Sequence, residues 1–105
     1  MTFPVHVQTG WVDFSPALRW YTARKVESLL EPFASRIRSV AVRIMDVEGD
    51  IGRRKCVIHA VLSPSGFVSE AAVGMDPYES VDRAAARLRA VMPRRLVGDG
   101  ISRVA

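Results

Sequence analysis

Five arginines and no acidic residue occupy the stretch from Arg83 to Arg95, at positions 83, 87, 89, 94 and 95. A guanidinium is a permanently charged planar fork of donors that fits phosphates and base edges, so the run leans toward nucleic acid. Arg83 and Arg87 are four residues apart and project from one side of a helix. Arg89 lies on an adjacent flank, and Arg94 and Arg95 extend the charge beyond Pro93. A second basic group, Arg24 and Lys25 with Arg19 about a turn earlier, falls in another helical stretch. If the two helices pack side by side, these cations line one groove or ridge and attract phosphates through counterion release. Six such contacts would weaken binding by about a thousandfold between 50 and 200 mM salt. A solvated helix face that complements the C-terminal dipole accounts for the same residues without any partner.

Other chemistry is sparse. The sequence has no glycine-rich phosphate loop, no Cys-x-x-Cys, no His-Glu-x-x-His and no Gly-x-Ser-x-Gly. His6 and His59 sit in separate strand-like segments and meet only if those strands are neighbours; a metal would need further ligands. Cys56 shares the inward phase of its strand and reads as a small buried hydrophobe. Asp46, Glu48 and Asp50 alternate beside Arg53 and Arg54, which describes a self-neutralising polar loop better than a Ca²⁺ site. Glu27 and Glu31 belong to a helix surface. No acid, base and nucleophile converge, so no enzyme, cofactor or metal is expected.

The elements that carry these residues follow from punctuation and period. Ser15-Pro16 is an N-cap with proline at the first helical position, and Leu18, Thr22, Val26, Leu29 and Phe33 recur at helical steps until Pro32 stops the helix. Asp76-Pro77-Tyr78-Glu79 repeats the pattern with a capping box. Tyr78, Val81, Ala85, Leu88 and Met92 form the second apolar stripe, which Pro93 is expected to end. Val5, Val7 and Thr9 alternate as one strand, and Val40, Val42 and Ile44 as another. Cys56, Ile58, Ala60 and Leu62 share one face of a third. Ser63-Pro64-Ser65-Gly66 suits a type I turn, returning a fourth strand over Phe67 to Val73. Asp46 to Lys55 is read as a polar loop. The class is α+β, in the order β-α-β-β-β-α, with two helices on one face of a four-stranded sheet.

Length and composition agree with a single domain, 1–96, followed by a tail, 97–105. The 105 residues are 49% apolar and 25% charged, ordinary values for one globular core. Fifteen Lys and Arg against eleven Asp and Glu give a net charge of +4, and thirteen of the fifteen are arginine. A GC-rich genome would also enrich arginine, so position informs more than number. One cysteine excludes an internal disulfide, and the N-terminus lacks the basic and apolar regions of a signal peptide. No apolar run approaches the roughly 20 residues that span a bilayer, and a cytoplasmic location is expected.

Two blocks resemble the ribosome hibernation-promoting factors, also called ribosome-associated inhibitor A or sigma-54 modulation proteins. The first, Thr9-Gly-Trp-Val-Asp-Phe-Ser-Pro-Ala-Leu-Arg-Trp-Tyr-Thr-Ala-Arg-Lys-Val-Glu-Ser-Leu-Leu, is similar to that family's first strand end and first helix. The second, Ser63-Pro-Ser-Gly-Phe-Val-Ser-Glu-Ala and then Asp76-Pro-Tyr-Glu-Ser-Val-Asp-Arg-Ala-Ala-Ala-Arg-Leu, is similar to its glycine turn, outgoing strand and last helix. The resemblance implies a non-enzymatic factor that binds the decoding channel of the small ribosomal subunit and silences translation when growth stops. Carried over by position, Arg24, Lys25, Arg87 and Arg94 match basic positions of the family. Arg83 and Arg95 join them on charge. Gly10, Trp11, Ala90 and Pro93 depart from frequently polar or basic positions, and the second domain of the long members is absent from this sequence.

A different reading starts from the open face of the sheet. Ala41, Met45, Val57, Val61, Val68 and Ala72 are assigned to it, which is apolar enough to seat a second copy or another protein.

Overall fold

Apolar side chains at alternate positions of four segments, and at helical steps in two more, can all be buried together if both helices cover one face of a sheet. The computed structural model has this arrangement; it describes residues 3–9 and 15–104, with side chains except at 50, 51 and 97–104. The elements are β1 (Val5–Thr9), α1 (Pro16–Leu30), a 3-10 helix (Glu31–Arg36), β2 (Ile37–Val47), β3 (Asp50–Leu62), β4 (Phe67–Gly74) and α2 (Pro77–Val104). The sheet order is β1-β2-β3-β4, with β1 parallel to β2 and the other pairs antiparallel. The expected α+β class and β-α-β-β-β-α order are those observed. Gly10 and Trp11 lie outside the described residues.

The core is the inward phase of each strand against the two helical stripes. Val7, Val40, Val42, Ile44, Cys56, Ile58, Ala60, Leu62, Val68 and Ala72 meet Leu18, Val26 and Leu30 of α1 and Val81, Ala84, Ala85, Leu88 and Met92 of α2. Both helix starts are capped as their sequences predict. Ser15 Oγ accepts from the Leu18 N–H at 3.0 Å. Asp76 Oδ1 accepts from Glu79 N–H at 2.9 Å, while Glu79 Oε1 reaches back to Met75 N–H at 2.7 Å. Gly74 lets β4 run into α2 at close quarters, since a Cβ there would lie 2.5 Å from the Ser80 nitrogen.

Five expectations change. Pro93 does not end α2, which continues to Val104. A proline forfeits one helical hydrogen bond, but here Met92 is fully buried, Leu96 packs on the core and Arg95 is tied to β4, so both sides of the break are held. The backbone of 97–104, read as a tail, continues that helix. Asp46–Lys55 is not a loop: β2 and β3 pair out to Val47 and Asp50 around a turn at Gly49 (φ 76), with a register shift accommodated near Gly52 (φ 97). Two charges of this segment, Asp46 and Arg54, are cross-strand neighbours, with Arg54 Nε and Asp46 Oδ1 3.1 Å apart. Val68 and Ala72 are buried, because they pair with Ala60 and Cys56 and directly opposed residues share a face. The open face of β4 carries Phe67, Ser69, Ala71 and Val73 instead. Finally, Leu30 rather than Leu29 completes the buried stripe of α1, and Tyr78 is 40% exposed.

Candidate nucleic-acid interface

Three of the α2 arginines bind the edge of the sheet. Arg83 Nη1 donates to the Val73 carbonyl at 2.9 Å, Arg87 Nη1 to the Ala71 carbonyl at 2.8 Å and Arg95 Nη2 to the Phe67 carbonyl at 2.8 Å. The spacing has a simple origin. Four residues of helix rise about 6 Å, and two residues of strand advance about 6.6 Å. A helix running antiparallel to β4 therefore keeps step with every second outward carbonyl. Val91 occupies the rung that would face Ser69. Each guanidinium uses one donor on the strand and retains others for an anion. Arg83 also lies 3.6 Å from Glu79.

Arg53 and Lys55 of β3 complete this cluster. Lys55 opposes Val73 across the β3–β4 pairing, so it stands on the open face beside the strand that Arg83 and Arg87 grip. Together Arg53, Lys55, Arg83 and Arg87 surround a cavity of about 500 Å³ with Ala71 and Val73 among its walls. Four cations from two segments of sequence, β3 and α2, thus meet at one end of the sheet. The sequence reading missed Arg53 and Lys55 by placing them in a loop. The signal was present, since they continue the phase of Val57 and His59. Arg94 is exposed, with no hydrogen bond or ion pair among the described residues.

Arg24 and Lys25 lie on the other side of α2. Lys25 Nζ is 3.7 Å from Asp82 Oδ1, and Tyr21 donates to the same carboxylate at 2.5 Å. Tyr21 also meets Tyr78 edge to face, with centroids 5.0 Å apart. The hydrogen bond to Asp82, burial and the Asp82 charge push the Tyr21 hydroxyl up to about 12. Arg24 lies over Trp20, 5.7 Å from its centroid. Asp82 and Arg83 are adjacent and point to opposite flanks, so the single groove expected between the helices is two separate basic regions. The one on the α1 side is partly neutralised by Asp82.

Little else offers chemistry. Ala41 separates His6 from His59, since β2 runs between their strands. His59 Nδ1 shares a hydrogen bond with Ser69 Oγ at 2.5 Å, and its ring lies 4.9 Å from that of Phe67. Cys56 is buried, which pushes its thiol up to about 12. Among the described residues, no group of three or more His, Cys, Asp or Glu is placed to hold a metal ion. No helix among them is long and apolar enough to cross a membrane.

Neither a protein-family model nor a curated protein sequence matches the chain. Solved structures do. A ribosomal subunit interface protein from Coxiella burnetii superposes with a TM-score of 0.78 at 20% identity, covering 90% of this chain and 99% of its own. The N-terminal domain of Protein Y from Thermus thermophilus gives a TM-score of 0.71 at 21% identity, covering 90% and 98%. These neighbours support the resemblance to the hibernation-promoting factors, and the chain carries, over nine tenths of its length, the fold of a ribosomal subunit interface protein.

Proposed function

We propose that this chain is a ribosome-associated translation regulator that binds rRNA of the small subunit in idle ribosomes. The observation that carries the reading is the cluster of Arg53, Lys55, Arg83 and Arg87 at one end of the sheet, on a fold shared with a ribosomal subunit interface protein. Arg94 and Arg95 extend it along α2, and Arg24 with Lys25 forms a second contact on α1. Phosphates supply affinity, while the rigid helix and strand that hold the cations match the shape of folded RNA. Arg87 is already ordered by the Ala71 carbonyl, so less side-chain freedom is lost on binding. No catalytic role is proposed.

Co-sedimentation with ribosomal subunits tests this. Lys55→Glu combined with Arg87→Glu should lower affinity on the order of a hundredfold at low salt and flatten its salt dependence. Lys25→Glu with Arg87→Glu should also abolish pelleting, with the fold checked by circular dichroism. Undiminished pelleting of the first pair at low salt would remove the cluster from the interface.

A second reading, a protein-interaction or homodimerising module, is favoured by the open sheet face. Phe67 is 57% exposed there and opposes Val61, with Val57 and Val73 farther along the same face. Light scattering at high concentration separates the two, because a monomer counts against the homodimer.

A further inference from the structure

Trp20 serves no purpose in the core. The buried stripe of α1 is Leu18, Thr22, Val26 and Leu30, and position 20 faces away from it, leaving the indole 66% exposed. One turn on, Arg24 holds its guanidinium 5.7 Å from the ring centroid, within cation–π range. Arg24 has no ion-pair partner among the described residues. Trp20, Tyr21, Arg24, Lys25 and Ser28 line an open depression of about 270 Å³.

An exposed indole between cations has the chemistry of a stacking site for a nucleobase. The base lies on the ring, and the phosphates on either side of it meet Arg24 and Lys25. Duplex RNA hides its base faces, whereas a single strand offers them. A protein surface would need a wide contiguous apolar area, and here only the rings of Trp20 and Tyr21 stand beside Arg24, Lys25 and Ser28 in the depression. We infer that Trp20, Arg24 and Lys25 form a stacking platform for an unpaired base of single-stranded RNA. The inference rests on the RNA-binding reading but uses a different flank from the Arg83 and Arg87 cluster, so each fails separately.

The chain has two tryptophans, Trp11 and Trp20, and Trp11→Phe leaves Trp20 as the only indole reporter. In that background, a single-stranded oligouridylate should quench the fluorescence, and a duplex RNA of equal length should quench it far less. Trp20→Ala should weaken oligouridylate binding about tenfold, and Trp20→Phe should restore part of the loss. Equal quenching by both RNAs, or unchanged oligouridylate affinity in Trp20→Ala, overturns the platform. So does Trp20-dependent self-association without any RNA quenching, which would make the occupant a protein. Wild-type pelleting with ribosomes in the absence of quenching removes the platform and spares the ribosomal reading. Quenching without pelleting does the reverse.

Discussion

The two flanks of α2 are held by different kinds of contact. Toward β4, cations from the helix reach backbone carbonyls of the edge strand, and the chain enters the helix through a glycine pressed against backbone. Toward α1, side chain meets side chain: Tyr21 and Lys25 both reach Asp82, and Tyr78 packs edge to face on Tyr21. Carbonyls on an edge strand cannot be mutated away, so the β4 flank keeps its acceptors whatever its sequence, and only the donors vary. The α1 flank depends on both partners. At Arg87 and Arg95 the β4 flank therefore keeps its charge available to a phosphate, because a carbonyl orders a guanidinium without neutralising it, whereas Arg83 is partly offset by Glu79 3.6 Å away. On the α1 flank, Asp82 orders Lys25 and also offsets part of its charge.

The harshest way to break the β4 flank is through backbone. Gly74→Ala places a methyl 2.5 Å from the Ser80 nitrogen and 2.9 Å from the Glu79 carbonyl carbon, atoms that cannot swing aside. A loss of about 2–3 kcal/mol is expected, a fall in Tm of roughly 10–20 °C by thermal denaturation. An unchanged Tm would mean that the start of α2 is not seated against β4.

Removing the donors is milder. Replacing Arg83, Arg87 and Arg95 together with methionine keeps the apolar stems and deletes three hydrogen bonds to exposed carbonyls. Stability should fall by about 1–2 kcal/mol in all. A second effect separates this flank from the other: the β4 edge loses its cover and becomes able to pair with another copy. Sedimentation velocity should show concentration-dependent association in the methionine variant and less of it when the same three arginines are replaced with lysine, which keeps the charges.

On the α1 flank, Tyr21→Phe deletes the donor to Asp82 and should cost about 1 kcal/mol with no change in association. Its clearer mark is the response to alkali. The Tyr21 hydroxyl is pushed up to about 12 from 10.0, so the folded state holds its proton more tightly. The bond's contribution is complete below pH 10 and fades as pH rises toward 12. Cys56, pushed up from 9.0 to about 12 by burial, has the same sign and begins earlier. Wild-type stability should therefore decline above about pH 9, and Tyr21→Phe should flatten the part above pH 10 only.

The two flanks were unequally legible in the sequence. Caps, strand phases and helical stripes depend on neighbours close in the chain, so Ser15, Asp76 and the alternation from Cys56 to Leu62 could be read directly. The Arg83 and Arg87 spacing was read as one helix face, and it is one. Which neighbour that face addresses depends on where β4 lies, which no local pattern encodes. Asp82 beside Arg83 held a clue, since one residue is about 100° of helix rotation and adjacent side chains cannot serve the same groove. Arg53 and Lys55 were lost because polar, glycine-bearing segments read as loops, although cross-strand charge pairs give an exposed hairpin the same composition. Pro93 was misread because a local penalty of about 3 kcal/mol was weighed without the packing of Met92 and Leu96 on either side.

The smallest expected effect lies under α1. Thr22 is fully buried on the inner face of that helix, and its Oγ1 has no hydrogen-bond partner among the described residues. A buried hydroxyl without a partner has lost water and gained nothing, whereas a methyl group of the same shape has no such deficit. Threonine and valine have similar helix propensities, so backbone preference does not mask the difference. Thr22→Val should raise stability by up to about 1 kcal/mol, a gain of a few degrees in Tm. On the β4 flank the three arginine donors all have acceptors, so the contrast predicts that stability can be gained under α1 and only lost at the β4 edge. A lower Tm in Thr22→Val would mean that the hydroxyl bonds to a carbonyl one turn earlier in α1, and the two flanks would then be equally well satisfied.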